Sequence, residues 1–174
     1  SIVYLHGFTA SPEEGAPIHE NIAQQFGCNL YIPRLTAHGQ KDPDAFKGLT
    51  PKAMVESAKE AIAIGKLMGE KVILMGTSTG ATFSIYLAAN DPSVEAMVLL
   101  SPNIELYDPA AFLLDMPWGK QIARLVIGED YRSVEYPERM IPYWYERYHN
   151  EGLIALQRML DETMTDEVFT AIDQ

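Results

Sequence analysis

The residues with the clearest chemical potential are Gly76-Thr77-Ser78-Thr79-Gly80, which directly follow the apolar run 72–75. The spacing G-x-S-x-G after a buried strand is typical of a nucleophile elbow, a strand-to-helix turn that holds a serine in a strained backbone conformation. The two glycines leave room for chain segments that cross close to the turn. This pattern predicts that Ser78 is a nucleophile for acyl transfer, and the alternative interpretation is an ordinary strand-turn-helix.

A second segment could supply the other half of such a site. The apolar run 2–5 is followed by His6-Gly7-Phe8-Thr9, and a carbonyl under attack needs two fixed backbone N–H donors for its developing oxyanion. By position these donors are predicted to be the N–H groups of Phe8 and Thr79. Gly7 would let the backbone approach the ligand, and His6 would hold the loop through a local hydrogen bond. The alternative is a simple exit from the strand into a loop.

Four motifs in this order resemble those of the α/β-hydrolase superfamily, and in particular its bacterial carboxylesterase and monoacylglycerol-lipase-like group, which overlaps the family of serine aminopeptidases. They lie at residues 6–12, 32–39, 76–80 and 99–102. The resemblance implies a catalytic Ser78 and a structural role for His38, which would hold its loop near the site. One departure is visible, because the family usually has Gly-His-Gly where this chain has Ala37-His38-Gly39.

The elements that must position these residues alternate along the first hundred residues. We predict strands at about 2–5, 28–32, 71–76 and 95–101, with helices between them, which indicates a parallel sheet with crossover helices. The fold class is therefore α/β. The resemblance implies an α/β-hydrolase-like three-layer parallel sheet with a helical cap, and the sheet is expected to lack its last strands. A long loop at 33–48 would cover the carboxyl ends of the strands, where such sheets bind ligands.

We predict two parts in the chain. Residues 1–102 would form the hydrolase core that bears the nucleophile, and residues 103–174, whose segments read mainly as helices, would form the cap or lid that the resemblance implies. Aromatic side chains of the cap would then line an acyl pocket. The alternative is a helical layer that packs on the sheet, with the aromatic residues as ordinary core.

A serine nucleophile needs a histidine base and a carboxylate that orients it, in the chain order Ser, acid, His for this superfamily. Only His149 follows Ser78, and we expect it to be a surface or packing residue of a helical cap. Glu105 or Asp108 could be the acid, and Asp173 could lead into a further strand. We expect instead that the acid and the histidine lie beyond Gln174, in a longer hydrolase.

Composition excludes other classes of function. The formal net charge of −11 and the pI of about 4.7 disfavour nucleic acids and anionic membrane surfaces. Cys28 is the single cysteine, so no internal disulfide can form. No metal-ligand or nucleotide-binding motif and no membrane-length apolar run is present, so we expect no metal, no cofactor and no stable membrane insertion. Because no secretion signal opens the chain, we expect a cytoplasmic protein.

Surface residues can also be predicted. Glu13-Glu14 reads as a solvated carboxylate pair, and His19 is expected to be solvated on the polar side of the first helix.

The function predicted on this basis is a serine hydrolase that cleaves carboxylic esters of short or medium acyl length through an acyl-Ser78 intermediate. A thioesterase, an amidase or an acyltransferase could use the same site. A small-molecule binding protein that kept the fold and lost the triad remains the alternative of another class, and the absent histidine favours it. The expected partner is a small acyl substrate, with a homodimer as a further possibility.

Overall fold

The computed structural model describes residues 1–105, 118, 121 and 130–172. Four parallel strands form the main sheet in the order β2-β1-β3-β4. They are β1 (Ile2–Leu5), β2 (Leu30–Tyr31), β3 (Val72–Thr77) and β4 (Val94–Leu100). The predicted parallel α/β sheet is confirmed, although β2 is shorter than the predicted 28–32 because only two of its residues pair with β1.

Helices connect these strands and continue after them. They are α1 (Ile18–Phe26), α2 (Pro51–Met68), α3 (Thr79–Asn90), α4 (Glu151–Thr163) and α5 (Asp166–Thr170). Two of them begin at a side-chain cap. The Thr50 side chain accepts a hydrogen bond from the Ala53 N–H at 3.1 Å, and Thr165 accepts one from the Val168 N–H at 3.3 Å.

The sheet is buried on both faces because successive side chains of a strand point to opposite sides. On one face Val3 and Leu74 join a large apolar cluster with residues of α2, α3 and α4. On the other face Tyr4 and Met75 pack in a smaller cluster with Ala23 of α1. The half-buried Cys28 packs against this second cluster.

Helix α4 contributes to the same core as the sheet. Its residues Ala155, Leu156, Met159 and Leu160 are buried in the large cluster with α2. This packing matches the helical layer that was the alternative to a cap. Most of the region between β4 and residue 130 lies outside the described residues, so the division into a core at 1–102 and a cap at 103–174 stays a prediction.

Two predictions from the sequence are wrong. His149 is not on a helical segment, because it lies in β6 (Arg147–His149), which pairs with β5 (Tyr131–Ser133) in an antiparallel hairpin. His19 is not solvated but 2% exposed, because its ring packs edge-on against Tyr4 with the ring centroids 4.6 Å apart.

Of the candidate acids, Glu105 is exposed just after β4. Asp108 and Asp173 lie outside the described residues.

Candidate active site

Ser78 stands at the junction of β3 and α3 in a conformation that non-glycine residues rarely adopt. Its φ is 52° and its ψ is −118°. The surrounding backbone holds this strain, since the Ser78 N–H donates to the Leu100 carbonyl at 2.9 Å and the Ser78 carbonyl accepts from the Thr82 N–H at 3.1 Å. The Ser78 side chain is half-buried, so it remains accessible at the tip of the strand.

The glycines on either side are required by close backbone contacts. A Cβ on Gly80 would lie 1.9 Å from the Leu5 carbonyl oxygen, and one on Gly76 would lie 2.4 Å from the carbonyl of Gly80. The first turn of α3 therefore packs directly on the end of β1 and on its own strand, which only residues without a side chain allow.

The loop after β1 reaches the elbow. Leu5 pairs with Gly76 in the parallel register, so strands β1 and β3 end at the same edge of the sheet. A Cβ placed on Gly7 would lie 3.3 Å from the Ser78 Cβ, which puts the two residues side by side.

A tight turn then shapes the loop at Phe8. The Ala10 N–H donates to the Gly7 carbonyl at 3.3 Å, and Thr9 has a φ of 61°, the sign that a type II turn requires at its third residue. In the described part of the chain, the backbone N–H groups of Phe8 and Thr79 have no hydrogen-bond acceptor. Both donors are therefore available to a ligand.

Two buried histidines hold this loop in place. The Leu35 N–H donates to Nε2 of His6, so the proton of His6 is on Nδ1, which donates to the Gly7 carbonyl at 3.0 Å. The carbonyl of Gly7 and the N–H of Phe8 belong to one trans peptide unit and point in opposite directions. Because the Gly7 carbonyl is directed at His6, the Phe8 N–H points away from His6.

His38 connects the same loop to the segment after β2. Its Nε2 accepts from the Thr9 N–H at 3.1 Å, and its Nδ1 donates to the Thr36 carbonyl at 2.8 Å. Burial and the neighbouring His6 lower the pKa of His38 to about 3, and burial also lowers the pKa of His6. Both imidazoles are thus neutral at physiological pH, as their acceptor nitrogens require.

The departure from Gly-His-Gly has a visible backbone consequence. Ala37 has a φ of 64° and Gly39 a φ of 68°. Glycine adopts this left-handed conformation without steric cost, whereas alanine must be held in it. Ala37 is held by the Tyr145 hydroxyl, which donates to its carbonyl at 3.1 Å.

The hairpin packs its aromatic residues against the loop. The Tyr145 N–H donates to the Thr9 carbonyl at 2.9 Å, and the rings of Phe8 and Tyr148 lie 5.7 Å apart. Phe46 contacts both rings, with its own ring 5.0 Å from Phe8 and 5.9 Å from Tyr148. These aromatic residues support the turn at Phe8.

The space beneath this loop is too small for a substrate. A cavity of about 10 Å³ is lined by His6, Phe8, Thr79 and five other residues. Among the described residues, that volume holds about one water molecule.

Sequence reasoning missed a carboxylate at the site. Glu14 lies in the 3₁₀ turn Pro12–Gly15 and accepts a hydrogen bond from the Gly7 N–H at 2.7 Å. It is half-buried and not part of a solvated pair. Burial raises its pKa, which the hydrogen bond from Gly7 partly offsets. No local pattern marks this residue, because the contact depends on how the turn folds back onto β1.

The base that Ser78 needs is not found among the described residues. No described side chain forms a hydrogen bond with the Ser78 hydroxyl, and His149 accepts from the Glu151 N–H at 3.1 Å while its ring packs on Tyr131. His149 therefore contacts the hairpin and α4 and none of the predicted site residues.

Among residues 1–105 and 130–172, no group of three or more His, Cys, Asp or Glu side chains could hold a metal ion. None of the described helices is long and apolar enough to cross a membrane.

The arrangement agrees with similarities to known proteins. A family model described as the alpha/beta hydrolase fold matches residues 1–148. A thermostable monoacylglycerol lipase from Bacillus sp. (strain H-257) is 26% identical over 164 residues, which cover 93% of this chain and 62% of that protein. Protein PHYLLO, chloroplastic, from Arabidopsis thaliana is 28% identical over 132 residues, 72% of this chain and 8% of that protein.

Solved structures share the fold. A structure from work on the metagenome-derived lipolytic enzymes LipS and LipT superposes with a TM-score of 0.70 at 19% identity, covering 96% of this chain and 67% of that one. The monoacylglycerol lipase of Paleococcus ferrophilus superposes with a TM-score of 0.65 at 16% identity, covering 93% and 66%. The chain thus spans 62% of the length of the Bacillus lipase and about two thirds of these structures.

Proposed function

Because this chain belongs to the α/β-hydrolase family, we propose that it is the nucleophile-bearing part of a serine hydrolase that cleaves carboxylic esters. Similarity to monoacylglycerol lipases and lipolytic enzymes supports ester cleavage as the general chemistry. Since the chain spans only part of these relatives, the activity is proposed for the longer protein.

One observation carries the proposal. Ser78 has a strained conformation at the tip of β3, and its Cβ lies 3.3 Å from the position of a Cβ on Gly7. A serine nucleophile and two backbone donors, those of Phe8 and Thr79, are therefore brought to one edge of the sheet. Strained backbone conformations cluster at functional sites, so this conformation favours a catalytic role over an ordinary strand-turn-helix.

The proposed reaction follows from these groups. The Ser78 Oγ attacks the ester carbonyl carbon and gives up its proton to a histidine, while the N–H groups of Phe8 and Thr79 stabilise the negative charge on the carbonyl oxygen. The bond to the leaving alcohol breaks as the histidine returns the proton to it. Water then attacks the acyl-Ser78 ester and releases the carboxylic acid.

The histidine and its acid are proposed to come from sequence beyond the 174 residues. The chain order of this family places both after the nucleophile. The described residues offer no base at Ser78, which supports the same proposal. Substrates of short or medium acyl length remain part of the proposal, and the strongly negative charge of the chain argues against nucleic acids and anionic membranes as partners.

The experiment is to replace Ser78 by alanine in the longer protein and to measure turnover of p-nitrophenyl butyrate. We expect kcat to fall by about 10⁶-fold, as for other triad serines. Ser133→Ala is the matched control, because Ser133 is an exposed residue of the hairpin. If the Ser78 variant kept most of its activity, Ser78 would have no part in the mechanism.

A second candidate is a non-catalytic binding protein with the same fold. The absence of a base at Ser78 among the described residues favours it. The two candidates differ in the longer protein, since a binder would show no turnover of p-nitrophenyl butyrate, p-nitrophenyl thiobutyrate or p-nitroanilide substrates. Faster cleavage of the thioester or the anilide than of the ester would identify a thioesterase or an amidase.

A further inference from the structure

Glu14 places a carboxylate beside the nucleophile. Both of its carboxylate oxygens lie 3.0 Å from the position that a Cβ on Gly7 would occupy, and the Ser78 Cβ lies 3.3 Å from the same position. The carboxylate and the Ser78 side chain therefore both lie beside the same position at Gly7.

The carboxylate is held firmly in this place. The hydrogen bond from the Gly7 N–H at 2.7 Å ties it to the loop that bears Phe8. The turn Pro12–Gly15 that carries it begins at Ser11, whose side chain accepts a hydrogen bond from the Glu13 N–H.

The charge of Glu14 is poorly compensated at the site. Within the described residues, it forms no ion pair with a lysine, arginine or histidine. The nearby imidazoles of His6 and His38 are neutral, as argued above. Burial raises the pKa of the Tyr4 hydroxyl to about 12, and the negative charge of Glu14 adds a smaller contribution in the same direction. This hydroxyl bonds to Thr77 Oγ1, next to Ser78, at 2.9 Å.

We infer that Glu14 determines charge specificity at the Ser78 site, disfavouring esters that carry a negative charge near the scissile bond and favouring neutral or cationic ones. This inference rests on the proposed function, because it concerns the substrates of the same serine. It narrows the substrate class by charge, independently of acyl length.

The expected size of the effect follows from Coulomb's law. For a substrate carboxylate about 8 Å from that of Glu14, and an effective dielectric constant between about 20 and 40, the repulsion should lower kcat/KM by about 5–30-fold. The half-buried position of Glu14 limits screening by salt, whereas an exposed carboxylate would be largely screened.

The experiment uses the longer protein and two esters with the same leaving group. p-Nitrophenyl butyrate is neutral, and p-nitrophenyl hemisuccinate carries a carboxylate at the end of a similar acyl chain. In Glu14→Gln the amide oxygen can still accept from the Gly7 N–H, so the loop is retained while the charge is lost. At pH 8 we expect kcat/KM for the hemisuccinate to rise about 5–30-fold relative to the butyrate.

Glu13→Gln is the matched control, since it removes the same charge from an exposed neighbour and should leave the ratio between the two esters unchanged. An unchanged ratio in Glu14→Gln, with butyrate turnover intact, would overturn the inference but not the proposed function. An equal loss for both esters would also overturn it, because Glu14 would then only support the loop. If the wild-type protein cleaves neither ester, the proposed function fails and the inference falls with it.

Discussion

At the scale of single residues, the site depends on two histidines that must stay uncharged. Each uses one ring nitrogen as an acceptor for a backbone N–H, that of Leu35 for His6 and that of Thr9 for His38. Protonation would replace the acceptor by a donor and break both connections to the oxyanion loop. The fold opposes protonation of His38, because its pKa is about 3 in the folded chain against 6.5 for the free side chain.

This shift predicts loss of stability in acid. A histidine whose pKa is lowered by folding contributes its full stabilisation above the unfolded pKa of 6.5, and that contribution falls as the pH drops toward 3. At about 1.4 kcal/mol per pH unit, His38 alone should cost about 2 kcal/mol of the free energy of unfolding between pH 7.5 and 5. His6 shifts in the same direction and adds to the loss. Urea unfolding at the two pH values measures it.

The control is His38→Gln, whose side chain does not titrate. This variant should be less stable at pH 7.5, but its loss on going to pH 5 should be smaller by about 2 kcal/mol. An unchanged pH dependence would mean that His38 does not carry the effect.

Individual residues were predictable from sequence to very different degrees. Ser78 and its flanking glycines could be identified because the turn requires residues without a side chain at positions close to the serine in sequence. Glu14 and His19 could not, because their burial depends on contacts with β1 and with the turn Pro12–Gly15. A charged residue in a short turn and a polar residue in the first turn of a helix are both usually exposed.

At the scale of elements, the turn at Phe8 determines whether an oxyanion can be held. Phe8 occupies the second position of the turn from Gly7 to Ala10, a position that favours proline. Phe8→Pro should therefore keep the turn while it deletes one of the two N–H donors. We expect kcat of the longer protein to fall by about 10²–10³-fold, provided that circular dichroism shows the fold intact.

The matched variant is Phe8→Ala, which removes the same aromatic ring from Phe46 and Tyr148 but keeps the N–H. The ratio of the two variants' kcat values isolates the donor. Equal activities would show that the Phe8 N–H does not contact the oxyanion.

Elements were predicted best where the hydrophobic pattern repeats several times. Helices α2 and α4 have many turns, so their buried faces repeat several times in the sequence. The strands of the hairpin β5–β6 have three residues each, and the surrounding Tyr143-Trp144-Tyr145 can fit a helix face as well as a strand. What makes the hairpin form is its contact with Phe46 and the Thr9 carbonyl, far away in the sequence.

At the scale of the whole molecule, the sheet has one long apolar edge. Among the described residues, β4 pairs only with β3, and it has the sequence VEAMVLL with Leu99 36% exposed. Beyond Val94, the outer side of such a strand can offer backbone N–H and C=O groups to another chain. This feature supports a homodimer or larger assembly of the 174-residue chain, which remains a proposal.

We predict that the 174-residue chain self-associates at concentrations of about 10–100 µM and that Leu99→Lys reduces the association, because a charge on an edge strand opposes pairing. Sedimentation velocity measures both states. Leu67→Lys is the control, since Leu67 is 88% exposed but lies on α2, and it should leave the association unchanged. A monomeric wild-type chain would contradict the prediction.

The pairing of β1 with β3 also sets an order of events during synthesis. Ile2 pairs with Ile73, and Gly80 packs against the Leu5 carbonyl, so the N-terminal strand meets the nucleophile turn only after most of the first hundred residues have left the ribosome. Contacts between such distant segments form slowly, because the long intervening chain must first close into a loop. Until then β1 is an apolar strand with no neighbour on that side, exposed to mispairing. The nascent chain therefore exposes an apolar strand until β3 has emerged.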